Sequence, residues 1–187
     1  MCLASWSGYA VLHGNRWCPG ATMQVRATVR RVSTSETPEF IPADYVIAVD
    51  HVGVAVPDLD TAVAWYSQHL GMVETHREVN ESQGVHEAML SLPGAGDDST
   101  ALQLLAPVDE SSTIAKFIDR NGPGLQQLAY RVTDVEAVAT FLRAQGLRLL
   151  YDAPRRGTAD SRINFVHPKD AGGVLIELVE PAPNPTH

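Results

Sequence analysis

Cysteine is almost missing from this chain. Its 187 residues include two, Cys2 and Cys18, and none from residue 44 onward. Neither a disulfide framework nor a thiolate metal site therefore holds the main body together. Positive charge is also scarce: 14 Lys and Arg face 22 Asp and Glu, a net charge of −8. That balance excludes a general nucleic-acid binder, which needs a basic surface to displace counterions from phosphates. No apolar run approaches the roughly 20 residues that cross a bilayer, so no membrane partner is expected. There is no Gly-rich phosphate loop, no Ser–His–Asp arrangement and no dinucleotide fingerprint. What the chain does have is 44% hydrophobic residues, enough for a real core.

Two compositions are joined near residue 44. Residues 1–43 carry Arg16, Arg26, Arg30 and Arg31 against Glu36 and Glu39, and hold both cysteines together with Trp6 and Trp17. This leader lacks a signal-peptide apolar core, and its Arg- and Ser-rich start has the composition of an organelle transit peptide. The plainer expectation is a weakly ordered extension, or sequence upstream of a later start at Met23. A ratio of 12 Arg to 2 Lys with abundant Ala and Val suits a GC-rich bacterial genome, so a cytoplasmic protein is expected.

The body is an internal repeat. His51-Val52-Gly53-Val54-Ala55-Val56-Pro57-Asp58-Leu59-Asp60 lies over Gln127-Leu128-Ala129-Tyr130-Arg131-Val132-Thr133-Asp134-Val135-Glu136. Each copy is a β-branched run, a turn containing Asp, and an amphipathic segment. Helices are predicted over Leu59–Leu70 and about 135–145, each with a capping side chain before it and Gly71 or Gly146 after it. Farther on, Leu102-Gln103-Leu104-Leu105-Ala106-Pro107 lies over Ile176-Glu177-Leu178-Val179-Glu180-Pro181. Intervening strands are predicted near 72–79 and 86–92, then 147–152 and 162–167. A Ser111/Ser112-capped helix over about 113–121 links the copies. The predicted fold is α+β: two tandem βαβββ modules, residues 44–110 and 124–182, joined by a linker at 111–123 and followed by a tail at 183–187. One curved sheet with one helix cannot bury both faces alone, so the copies pack together.

The repeat sets His51 over Gln127 and Gln103 over Glu177. All four lie within apolar strands, and strand alternation directs them into one shared concavity. Taken singly, each is a polar residue on a half-exposed strand; four at symmetric positions are harder to ascribe to chance. A carboxylate flanked by Leu175, Ile176, Leu178 and Val179 is costly to bury unless paired or metal-bound. One imidazole, one carboxylate and two amide oxygens form a hard, oxygen-rich set suited to six-coordinate Mn²⁺, Co²⁺ or Mg²⁺ with open positions.

These features resemble the vicinal-oxygen-chelate superfamily, and within it the methylmalonyl-CoA epimerase family. The likeness is carried by Asp50-His51-Val52-Gly53-Val54-Ala55-Val56-Pro57-Asp58, Gln83-Gly84-Val85-His86-Glu87, the Leu102–Pro107 block, Leu149-Leu150-Tyr151-Asp152-Ala153-Pro154, residues 162–170 and residues 172–178. It covers residues 45–181. The resemblance implies His51, Gln103, Gln127 and Glu177 as metal ligands, and Glu87 and Glu177 as the proton-transferring carboxylates. It also implies a divalent metal, Co²⁺ or Mn²⁺ foremost with Mg²⁺ and Zn²⁺ behind them, a CoA thioester substrate and a homodimer. The family usually carries a His-His pair where this chain reads Gln126-Gln127, and an amide oxygen binds transition metals more weakly than an imidazole.

The implied reaction is epimerisation at C2 of methylmalonyl-CoA, removal of a proton α to a carbonyl and its return from the opposite face. Competing expectations on the same fold are a glyoxalase-type lyase or isomerase acting on a glutathione adduct, and a non-catalytic small-molecule-binding protein. Fold alone does not choose among them. An extradiol dioxygenase wants a 2-His-1-carboxylate iron triad, which Gln127 breaks. His69, His76 and His86 are expected at the surface, and Arg155, Arg156, Arg162 and Lys169 are weaker candidates for contacting CoA phosphates.

Overall fold

The computed structural model describes residues 40–183 apart from residues 82 and 97. The leader up to residue 39 and the tail beyond 183 lie outside the described residues. Within the stretch 40–43, Ile41 packs with Tyr45 against the cluster of Val132, Val135, Val138 and Leu178.

Eight strands form one sheet: β1 (Val46–Ala55), β2 (Val73–Asn80), β3 (Val85–Ser91), β4 (Ala101–Pro107), β5 (Gly124–Val132), β6 (Arg155–Arg156), β7 (Arg162–Val166) and β8 (Leu175–Glu180). Their order is β2-β3-β4-β1-β5-β8-β7-β6. β1 and β5 pair antiparallel at the centre, and each is flanked by its own module's last strand in parallel pairing. The tandem βαβββ expectation is borne out.

Each module's helix follows from local chemistry. In α1 (Leu59–Leu70) Asp58 accepts from the Thr61 amide, and Gly71 ends the helix at a left-handed φ of 66°. In α3 (Val135–Ala144) Asp134 caps the amides of Glu136 and Ala137. The linker helix α2 (Thr113–Asn121) starts on Ser112, whose hydroxyl accepts from the Ala115 amide. These side chains satisfy amides that have no partner inside a helix.

The helices α1 and α3 cover the outer face of the sheet. Leu59, Ala62, Val63 and Tyr66 of α1 pack on Val54, Ala88, Leu90 and Leu104, and Val135, Val138 and Leu142 of α3 pack near Val132 and Leu178. Alternation then turns the odd-numbered residues of β1, β4, β5 and β8 to the inner face.

One strand departs from expectation. Residues 147–152 do not form a strand; Leu149 makes a single bridge to Val166, and β7 pairs with the two-residue β6 instead. Backbone bonds still join Leu150 to Phe165 and His167 to Arg148, but the ladder is interrupted at Tyr151 by the buried Asn164, whose side-chain oxygen accepts from the Tyr151 amide at 3.2 Å and whose nitrogen donates to the Tyr151 carbonyl at 3.0 Å.

Candidate active site at the centre of the sheet

The central register is what brings the polar groups together. Gly53 of β1 lies beside Gln103 of β4 and opposite Gln127 of β5, while Ala129 lies beside Glu177 of β8 and opposite His51. Small residues thus occupy the two positions that the polar side chains cross. A Cβ on Gly53 would sit 2.5 Å from Gln127 Cγ, so the glycine is there for space.

His51, Gln103, Gln127 and Glu177 are all buried and meet at one point. Gln127 Nε2 donates to Glu177 Oε2 at 2.5 Å and to Gln103 Oε1 at 3.1 Å, and lies 3.4 Å from His51 Nε2. His51 Nε2 is 3.1 Å from Glu177 Oε2. On its other side His51 Nδ1 is 2.9 Å from Asp50 Oδ1, and Asp50 Oδ2 accepts from Arg131 Nε at 2.7 Å. This carboxylate–imidazole pair fixes the ring orientation and aims Nε2 at the centre, as a carboxylate hydrogen-bonded to the far nitrogen does behind a metal-binding histidine.

The electrostatics favour positive charge there. Burial disfavours the imidazolium of His51, but hydrogen bonds to Asp50 and Glu177 outweigh it and its pKa rises to about 9. Asp50 is held below the usual carboxylate range, where burial is outweighed by hydrogen bonds from His51 and Arg131. Among the described residues no three His, Cys, Asp or Glu side chains form a metal-holding group. The donor set here has two such residues and completes itself with two amides. An imidazole nitrogen, a carboxylate oxygen and an amide oxygen converge on one point, and Gln127 need only turn its amide to offer its own oxygen. The residues fit a hard cation.

Glu87 of β3 adjoins this cluster. Gln103 Nε2 donates to Glu87 Oε2 at 3.1 Å, and the Thr158 hydroxyl donates to Glu87 Oε1 at 2.9 Å. Burial pushes the Glu87 carboxyl up to about 8; the Thr158 hydrogen bond opposes that rise and the neighbouring Glu78 carboxylate adds to it. Glu87, Gln103, Gln127 and Glu177 line a cavity of about 190 Å³ whose walls include Leu105, Ile114, Tyr151, Phe165 and Leu175. His51, Glu177 and Thr158 also face a wider cleft of about 860 Å³.

Several residues that sequence reasoning passed over belong here. Thr158 sits on a short 3₁₀ turn between β6 and β7, next to Ala159 and Asp160, which both have positive φ, and bridges Gln103 to Glu87. Glu78 lies directly across the β2–β3 ladder from Glu87, a placement that the hairpin turn at Gly84 implies once its register is counted. His76, expected at the surface, lies in the wall of the wider cleft, with Nε2 2.8 Å from Glu78 Oε2. Thr158 had no signal, because an irregular loop delivers it. Gln126 lines the smaller cavity with a buried Oε1 that has no hydrogen-bond partner among the described residues.

The basic residues do not make a single phosphate patch. Arg162 is engaged by Glu180 at 3.0 Å and Glu136 at 2.8 Å, Arg156 by Asp160 at 2.6 Å, and Arg155 stacks 3.9 Å over the Tyr151 ring.

Comparison with known proteins fits this geometry. Residues 50–165 match the profile of the glyoxalase/bleomycin resistance protein/dioxygenase superfamily. The chain is 33% identical over 159 residues to the mitochondrial methylmalonyl-CoA epimerase of Homo sapiens, covering 81% of this chain and 85% of the human protein. Its structure is similar to that of methylmalonyl-CoA epimerase from Mycobacterium tuberculosis, with 59% identity and a TM-score of 0.72 over 78% of this chain and 95% of that one. It is also similar to a methylmalonyl-CoA epimerase solved in complex with methylmalonyl-CoA and NH₄⁺, with 45% identity and a TM-score of 0.71 over 76% and 99% of the two chains.

Proposed function

Because this chain belongs to the methylmalonyl-CoA epimerases of the glyoxalase/bleomycin resistance protein/dioxygenase superfamily, we propose that it interconverts the 2R and 2S forms of methylmalonyl-CoA through an enolate. The observation that carries the reading is the buried Glu87 beside the four-residue polar centre, in an apolar-walled cavity.

The hydrogen at C2 lies between a thioester carbonyl and a carboxylate, and its removal leaves negative charge on those oxygens. His51, Gln103, Gln127 and Glu177 would hold a divalent cation, which would supply positive charge to those oxygens as charge develops on them. Glu87 takes the proton on one face. Its carboxyl is held by Thr158 and Gln103, so it is oriented before substrate arrives. A pKa of about 8 brings its basicity close to the working pH, where general bases are most effective. Glu177 serves the opposite face. Leu105, Ile114 and Phe165 exclude water from the acyl group and protect the enolate from protonation by solvent. The reading includes a homodimer, tested by sedimentation equilibrium.

Incubation with methylmalonyl-CoA in D₂O tests the function. Deuterium should enter C2, and should do so only after Co²⁺ or Mn²⁺ is restored to chelated protein. No exchange with either metal would overturn the reading, and turnover of a glutathione adduct instead would replace it with the glyoxalase alternative.

A further inference from the structure

For a further turnover in the same direction the proton taken up by Glu87 has to leave and Glu177 has to regain one, which it can do from the wider cleft that it lines; yet Glu87 is only 2% exposed. Its polar neighbours are the Thr158 hydroxyl, the Gln103 amide and, directly across the β2–β3 ladder, Glu78. A hydroxyl and an amide take up no net proton at ordinary pH; a carboxylate does. Glu78 is held in turn by the Ala159 amide at 3.3 Å and Arg156 Nη1 at 3.4 Å. Its Oε2 lies 2.8 Å from His76 Nε2, and His76 is 28% exposed in the wall of the 860 Å³ cleft. Residues 76 and 78 are two apart on β2, so both project from the same face of the sheet. Acid, acid and imidazole therefore run in line from the centre of the protein to open water.

We propose that Glu78 and His76 carry protons between Glu87 and bulk water, a role that rests on Glu87 being the base. One proton moves at each step and no oxidation state changes. The Glu87 carboxyl gives its proton to the Glu78 carboxylate, Glu78 passes it to His76 Nε2, and His76 releases the proton on Nδ1 to water. Glu87 is left ionised for the next substrate. Imidazole is the side chain best suited to take up and lose a proton near neutrality. Neither residue makes a hydrogen bond to His51, Gln103, Gln127 or Glu177.

The test follows deuterium. Metal-loaded enzyme receives one stereoisomer of methylmalonyl-CoA deuterated at C2 and the other unlabelled, in H₂O. The labelled stereoisomer is the one whose C2 hydrogen Glu87 removes, and label lost to water and label kept at C2 are measured against inversion. The wild type should lose nearly all removed deuterium to water. In Glu78→Gln the label should stay on Glu87 and return to substrate, so that loss to water per inversion falls several-fold. His76→Ala should show the same fall, and added imidazole should restore the wild-type ratio. A merely structural role would slow inversion and leave the ratio alone. An unchanged ratio in both variants, or no response to imidazole, would overturn the relay. If Glu87→Gln still inverts substrate at the wild-type rate, the base assignment has failed and the relay with it.

Discussion

The two modules agree at the centre of the sheet and disagree toward its edges. His51 and Gln127, Gly53 and Ala129, and Gln103 and Glu177 are counterparts in register, and every pair keeps its character, polar or small. One strand farther out the likeness ends. Glu87 of β3 has Ile163 of β7 as its counterpart, and Glu78 of β2 has Arg155 of β6. A cation centre there would draw equally on both halves, and duplication would preserve it. Outside the centre, the first module places a titratable group, Glu87, on the inner wall. In the second module the corresponding wall is Ile163 and Phe165, which pack with Ala129 and Val179. In the proposed mechanism it is Glu177, a member of the centre itself, that would serve the other face.

The sharpest break of that comparison is a matched pair of substitutions. Glu87→Gln should lower the epimerisation rate about 10²–10⁴-fold, the usual worth of a general acid–base group. Ile163→Val should cost about 1 kcal/mol of stability and little activity. Equal activity losses would mean that the two walls are functionally equivalent after all. Glu87→Gln has a second consequence. A folded-state pKa of about 8 against an ordinary 4.5 means that the folded chain keeps a proton the unfolded chain has already lost. The stability contributed is fully present below pH 4.5 and is lost as pH rises through about 8, at up to about 1.4 kcal/mol per pH unit. Denaturant titration of chelated protein across this window should show that decline in the wild type and a flatter profile in Glu87→Gln.

A smaller effect sharpens the symmetric side. Gly53→Ala would press a methyl against Gln127 Cγ and should cost about 1–3 kcal/mol as overpacking. It should also weaken metal binding in titration calorimetry, because Gln127 is displaced. Ala129→Gly, its counterpart, removes a buried methyl and should cost about 1–2 kcal/mol, from backbone entropy and lost apolar burial together. If both variants bind metal as the wild type does, small residues at these positions serve packing and not the centre.

How much of this was legible in the sequence follows the same division. The centre could be read because it rests on two local periodicities, strand alternation and the repeat offset, which together fix where His51, Gln103, Gln127 and Glu177 must point. Glu87 was reached only through family resemblance; alternation by itself could not separate it from a solvated strand-edge acid. Thr158 and the Glu78–His76 line depend on one strand's register against another and on the path of an irregular turn. The failed strand at 147–152 has the same origin, since nothing local announces that Asn164 will bond the Tyr151 backbone in place of a ladder. Contacts set by tertiary register leave no periodic trace.

Position 127 carries glutamine where the family resemblance leads one to expect histidine, and it offers the finest discrimination. The Gln127 amide nitrogen touches Glu177 and Gln103 and lies 3.4 Å from His51, so residue 127 reaches the point where a cation would be held. An amide oxygen is a hard, neutral donor and gives Co²⁺ or Zn²⁺ little advantage over Mg²⁺, whereas a second imidazole favours the transition metals. Gln127→His should therefore tighten Co²⁺ binding by on the order of tenfold, about 1.4 kcal/mol, and leave Mg²⁺ affinity nearly unchanged. Calorimetric titration of chelated protein with each metal reads the difference. Equal tightening for both ions would point to a better-shaped cavity and not to donor chemistry. No change for either would remove Gln127 from the ligand set, and the two modules would then contribute unequally even at the centre.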